Sequence, residues 1–209
     1  MAIKIKVCGM RELSNIGELV KLNPDYIGFI FYPKSKRYIG AGISDEILKL
    51  IPESVQKTGV FVDEPIDSVI EKFIGSKLDI VQLHGGEPAD YCQRLKDLKI
   101  PVIKVFSISS DFNFETIAPY DSCCDNYLFD TASELRGGTG IKFNWEILSQ
   151  YKGSKPFFLS GGIQPSDIEA IKNLKIPNLY AIDLNSGFET APGLKDISKL
   201  QEFIEAVRM

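Results

Sequence analysis

Eight apolar, β-rich strings recur along the 209-residue chain at fairly even spacing, and that rhythm constrains the fold more than any single residue. In order they read IKIKVC, DYIGFIF, KTGVFVD, DIVQLH, PVIKVFS, NYLFDT, PFFLSGG and LYAIDL. Between them lie stretches with helical periodicity, such as Leu13, Ile16, Leu19 and Val20, or Ile66, Val69, Ile70, Phe73 and Ile74. Strands that alternate with helices imply a parallel sheet with right-handed crossovers. Eight units in so short a chain predict closure into a (β/α)8 TIM barrel rather than an open doubly wound sheet. No linker or low-complexity tract interrupts the pattern, so residues 1–209 are read as one barrel domain. The stretch from Asp111 to Pro119 carries the weakest helical pattern. Pro65, Pro88 and Pro165 are each expected just inside a helix start, where a missing N–H costs nothing, and Asp196 is expected to cap the last helix.

Alternation in the first strand adds a second constraint. Ile3, Ile5 and Val7 share one face, and Lys4, Lys6 and Cys8 share the other. Helices cover a parallel barrel from outside, so the apolar face should point outward and the lysine face inward. Gln82, His84 and Asp183 read the same way and predict a partly polar interior whose charges need partners. Lys6 would lie one layer below Cys8, where its charge is expected to favour the thiolate and lower the cysteine pKa.

Parallel barrels carry their chemistry at the carboxyl ends of the strands. Cys8 ends the first strand and is followed by Gly9; read by position alone, it is either an exposed thiol or a small buried hydrophobe. Asp130 ends the apolar string NYLFD, where a carboxylate needs a purpose; otherwise it is an N-cap or a partner for an interior lysine. Arg37 lies in the loop after the second strand and could grip a carboxylate through two parallel bonds. SGGIQPSDI and LNSGFETAPGLKD follow strands seven and eight, where glycine-bearing loops can aim backbone N–H groups at a phosphate. The RGGTG string (residues 136–140) lacks the ending of a nucleotide-binding P-loop and reads as a cover over the site or as a linker. His84 reads equally as a ligand contact or a satisfied core histidine.

The net charge of −4 gives no general attraction to nucleic acid or anionic membrane, so an anionic ligand must be held by local groups. Four cysteines without a C-x-x-C pair, and a single histidine, argue against a zinc site or a disulfide framework. Cys123 and Cys124 suggest packing only. No signal peptide or membrane-length apolar run is read, and a reducing, cytoplasmic setting is expected.

Taken in order, KVCGM, GFIFYPKSKRYI, GVFVDEP, VQLHGGE, LFDT, GGTG with FNW, SGGI, and IDLNSGFE with PGLKD resemble the phosphoribosylanthranilate isomerase family of tryptophan biosynthesis. The resemblance covers nearly the whole chain. It implies a single-domain barrel that needs no metal or organic cofactor and occurs as a monomer or a homodimer. It implies that N-(5-phosphoribosyl)anthranilate is converted to 1-(2-carboxyphenylamino)-1-deoxyribulose 5-phosphate by an Amadori rearrangement. By the same resemblance Cys8 is the general base, Asp130 the general acid and Arg37 the anthranilate-carboxylate contact. The substrate phosphate falls to Gly161, Gly162, Asn185, Ser186 and Gly187. Three positions depart from the family pattern: Asn144 and Gly86, where aspartate is common, and Asn185, where serine is common. Asn144 should cap a helix as well as aspartate does. A histidine-pathway aminoaldose isomerase would place a second aspartate where Cys8 stands. Indole-glycerol-phosphate synthase would need a lysine and glutamate pair that cannot be placed here. A non-catalytic sugar-phosphate-binding barrel would keep the phosphate loops without needing both Cys8 and Asp130.

Overall fold

The computed structural model describes residues 3–131 and 144–209. Eight parallel strands close into a barrel in chain order. They are β1 (Lys4–Cys8), β2 (Tyr26–Ile30), β3 (Gln56–Phe61), β4 (Ile80–Leu83), β5 (Val102–Ile108), β6 (Asn126–Thr131), β7 (Phe157–Leu159) and β8 (Leu179–Leu184). Pairing of β1 with β8 closes the ring and sets Lys6 beside Asp183. A short hairpin, β9 (Glu189–Ala191) and β10 (Leu194–Lys195), follows β8 and stands outside the barrel sheet.

The expected division of faces is present. Ile5, Val7, Ile27, Phe29, Val81, Leu83, Phe129 and Ile182 belong to the apolar layer between strands and helices. A smaller cluster of Tyr26, Ile80, Ile103, Val105, Leu128, Phe158 and Ala181 fills the barrel interior. The inward face of β1 instead carries Lys6, which is fully buried.

The helices are α1 (Leu13–Val20), α2 (Asp45–Leu50), α3 (Ile66–Gly75), α4 (Ala89–Asp97), α5 (Ile168–Lys172) and α6 (Ile197–Arg208). In α6, Leu200, Phe203 and Ile204 form the buried stripe, and each such side chain stabilises the fold by roughly 1.5–3 kcal/mol. Asp196 caps this helix through the Lys199 N–H at 3.2 Å. Pro65 and Pro88 sit one residue earlier than expected, at the caps of α3 and α4. There their carbonyls accept from Val69 and Cys92, and the missing N–H is again harmless. The fifth and sixth units hold 3-10 turns, Phe114–Tyr120 and Trp145–Gln150, in place of α-helices. Pro119 inside the first explains its short reach, and Asn144 caps the second through the Glu146 N–H at 3.1 Å.

Candidate active site

The C-terminal mouth of the barrel gathers most of the residues singled out above. Cys8 is buried, and a methyl group placed on Gly28 of the next strand would come within 2.7 Å of its Sγ. One layer below, Lys6 Nζ donates to Asp183 Oδ1 at 3.0 Å. The Asp183 carboxyl also feels the charges of Asp130 and His84. Cys8, beside Lys6, and Asp130, whose charge is felt by Asp183, are thus both within electrostatic reach of one buried ion pair.

The expectation for the Cys8 pKa is overturned. Burial is the largest influence and pushes the thiol above its ordinary value; Lys6 and Lys195 pull it back, but only in part. Asp183 adds to the rise, because its negative charge disfavours a second anion nearby. The neutral thiol is the resting form of the free site.

Asp130 is partly exposed, and its Oδ1 accepts the Thr131 N–H at 2.9 Å. Its Oδ2 lies 3.3 Å from His84 Nε2. His84 Nδ1 lies 3.3 Å from Gln82 Nε2, so with that amide as donor the ring proton sits on Nε2 and faces Asp130. Gly161 adopts φ +93°, and a side chain there would collide with Thr131 Oγ1 at 2.2 Å and Asp130 Oδ1 at 2.9 Å. Only glycine lets the loop after β7 pass so close to the carboxylate.

Gly162 is also left-handed, at φ +66°. The loop after β8 touches the loop after β7, since a methyl on Gly187 would meet Ile163 O at 2.1 Å. Ser186 and Gly187 begin a 3-10 turn there. The two glycine-bearing loops thus form one edge of the mouth. Asn185 turns away from that edge, with its Oδ1 accepting from Lys195 Nζ at 2.7 Å.

Arg37 reaches the mouth but is already paired. Its Nε and Nη2 donate to the Glu189 carboxylate at 2.6–3.1 Å, leaving the Nη1 end of the fork outside this pair. Lys195 Nζ donates to the same carboxylate at 2.6 Å. Burial opposes the Glu189 charge, yet the bonds from Arg37 and Lys195 prevail and hold its pKa below the usual carboxylate range. Lys195 is itself nearly buried, and desolvation lowers its pKa despite Glu189. Arg37 and Asn185 both lie over Gly9, 2.6 Å and 3.0 Å from where its Cβ would stand, which brings this cluster next to Cys8.

Glu189 and Lys195 are the functional candidates that sequence reasoning missed. Both lie inside the string LNSGFETAPGLKD, but no spacing rule links them to Arg37, which is 152 residues before Glu189. The RGGTG string, read as a possible cover, falls outside the described residues. Among the described residues the mouth holds no set of three metal ligands; the single such set, Cys92, Cys123 and Cys124, lies in the apolar layer outside the barrel.

A family model described as N-(5'phosphoribosyl)anthranilate (PRA) isomerase matches residues 5–206. A relative from Parabacteroides distasonis, named N-(5'-phosphoribosyl)anthranilate isomerase, is 47% identical over 204 residues, covering 97% of this chain and 92% of the relative. The crystal structure of phosphoribosyl anthranilate isomerase from Thermotoga maritima superposes with a TM-score of 0.85 at 31% identity, covering 98% of both chains. Another solved isomerase, in complex with reduced 1-(o-carboxyphenylamino)-1-deoxyribulose 5-phosphate, superposes with a TM-score of 0.83 at 30% identity and covers 98% of both chains. Matched along nearly its whole length, and built as the same closed barrel, this chain belongs to the N-(5'-phosphoribosyl)anthranilate isomerase family.

Proposed function

We propose that this chain converts N-(5-phosphoribosyl)anthranilate to 1-(2-carboxyphenylamino)-1-deoxyribulose 5-phosphate, the aldose–ketose isomerisation of tryptophan synthesis, with Asp130 as acid and Cys8 as base. The observation that supports this reading is the buried Lys6–Asp183 pair at 3.0 Å, with electrostatic influence linking Lys6 to Cys8 and Asp183 to Asp130. Protonated Asp130 gives its proton to the furanose ring oxygen. The bond from that oxygen to C1 breaks, and the anilino nitrogen lone pair closes a protonated Schiff base. The Cys8 thiolate then removes the C2 proton, and those electrons form the C1–C2 double bond of an enolamine. Return of a proton to C1 and loss of the C2 hydroxyl proton give the ketone. Electrons and atoms balance within the substrate, so no external oxidant is required.

The productive form carries the proton on Asp130 and the charge on Cys8, as acid and base roles demand. In the free site burial leaves a proton on sulfur. The cations Lys6 and Lys195 favour the thiolate that the reaction needs.

Arg37 is the contact for the anthranilate carboxylate. Glu189 holds one side of its fork, so the ligand meets the end that carries Nη1. The phosphate is held by backbone groups around Gly161, Gly162, Ser186 and Gly187, with Asn185 contributing through its main chain because its side-chain oxygen is bound to Lys195. Four unpaired thiols suit a cytoplasmic setting.

Consumption of the substrate, followed by loss of anthranilate-type fluorescence, tests the assignment. Cys8→Ala and Asp130→Asn should each reduce turnover by about 10²–10⁴-fold. Arg37→Ala should act chiefly on KM. Turnover near the wild-type rate in both of the first two variants would overturn the roles. A wild-type chain that binds the phosphosugar without turning it over would support the non-catalytic barrel instead.

A further inference from the structure

We propose that Cys92, Cys123 and Cys124 form a three-coordinate site for a soft, thiophilic monovalent cation of the Cu(I) class. Cys92 comes from α4, and the vicinal pair comes from the turn that leads into β6. Their Sγ atoms all lie within 4.8 Å of one another. The three residues are at most 4% exposed, inside the apolar layer between strands and helices.

The spacing suits a metal better than a disulfide. A planar three-sulfur shell with metal–sulfur bonds of about 2.3 Å sets its sulfurs ~4 Å apart, so inward shifts of about 1 Å or less complete it. A disulfide needs sulfurs at about 2.05 Å and would leave the third thiol without a role. Zinc prefers four ligands, and among the described residues no further histidine, cysteine or carboxylate joins the group. Three sulfurs in a dry site suit a soft cation, and Cu(I), unlike zinc, does not call for a fourth ligand.

The surrounding charges tolerate the complex. Cu(I) displaces two thiol protons and binds the third sulfur as a thiol, which leaves one net negative charge. Lys96 stands one helical turn after Cys92 on α4. Lys96 is held in place by the Ser122 carbonyl, next to the vicinal pair. Occupancy would tie α4 to the turn before β6, well apart from Cys8 in the mouth.

Cu(I) delivered anaerobically as its acetonitrile complex to the reduced full-length chain, in competition with bicinchoninate, tests the site. The expected result is one tightly held equivalent per chain, retained in Cys8→Ser and weakened about 100-fold or more in Cys92→Ser and Cys124→Ser. X-ray absorption of the wild-type complex needs no variant and should show three sulfurs at about 2.3 Å. Binding that bicinchoninate removes completely would overturn the proposal. So would binding abolished by Cys8→Ser, or a two-sulfur shell.

Discussion

Two buried lysine–carboxylate pairs of equal length differ in what surrounds them, and that difference separates framework from chemistry. Lys104 and Glu87, on the outer side of the barrel wall, meet at 3.0 Å. Lys6 and Asp183, inside the barrel, also meet at 3.0 Å. The outer pair is saturated: Glu87 accepts the N–H groups of Asp63 and Gly85, and Lys104 donates to the carbonyls of Leu83 and Gly85. It pins the loop after β4 and has no spare valence. The inner pair has one hydrogen bond between its members, and its remaining capacity faces Cys8, Asp130 and His84. Satisfied charges hold a fold, and charges left facing reactive groups set their protonation.

The largest expected effect comes from breaking the outer pair. Lys104→Met leaves Glu87 buried without its cation and should cost about 3–5 kcal/mol in denaturant unfolding. Turnover per folded molecule should stay near wild type; an activity loss exceeding the loss of folded protein would erase the distinction between the pairs.

Breaking the inner pair should show in a pH profile more than in stability. Burial already raises the Asp183 pKa, so without Lys6 that carboxyl can take up a proton rather than remain an unpaired charge. The thiol of Cys8, raised already, loses its nearest cation and moves further up. The rising limb of kcat/KM against pH in Lys6→Met should therefore move to higher pH, by about one unit. A limb that stays in place would show that Lys6 does not act on Cys8.

The smallest effect is a slope. The folded-state pKa of Glu189 lies below its unfolded value, so the stability it contributes is present above the unfolded carboxylate pKa of about 4.3 and is lost as pH falls through the folded value. In Glu189→Gln the acid limb of the stability curve should be flatter, by up to about 1.4 kcal/mol per pH unit. An unchanged limb would mean that other carboxylates carry the acid sensitivity.

The barrel was legible because each strand repeats one local rule. Period two in β1 foretold both the inward turn of Lys6 and its need for a partner; Asp183 was read as facing inward too, but only closure of β1 on β8 identifies it as that partner. The direction of the Cys8 shift was not legible, because a sequence names the neighbouring cation without weighing it against burial. Nor was the Arg37–Glu189–Lys195 cluster: its members meet through a hairpin outside the repeating units, where periodicity has no hold. The three thiols escaped for a related reason. No metal spacing joins Cys92 to the vicinal pair, and only winding successive units side by side brings α4 against the turn before β6.

The seam between β1 and β8 also sets a timetable for the newborn chain. Lys6 and Asp183 are 177 residues apart. A ribosome adding about 5–20 residues per second exposes the lysine roughly 10–35 s before its counter-charge emerges. During that wait the ammonium keeps its water, because burial alone is costly. β1 therefore has its buried counter-charge only once β8 has been made, and the surroundings of Cys8 are unfinished until then.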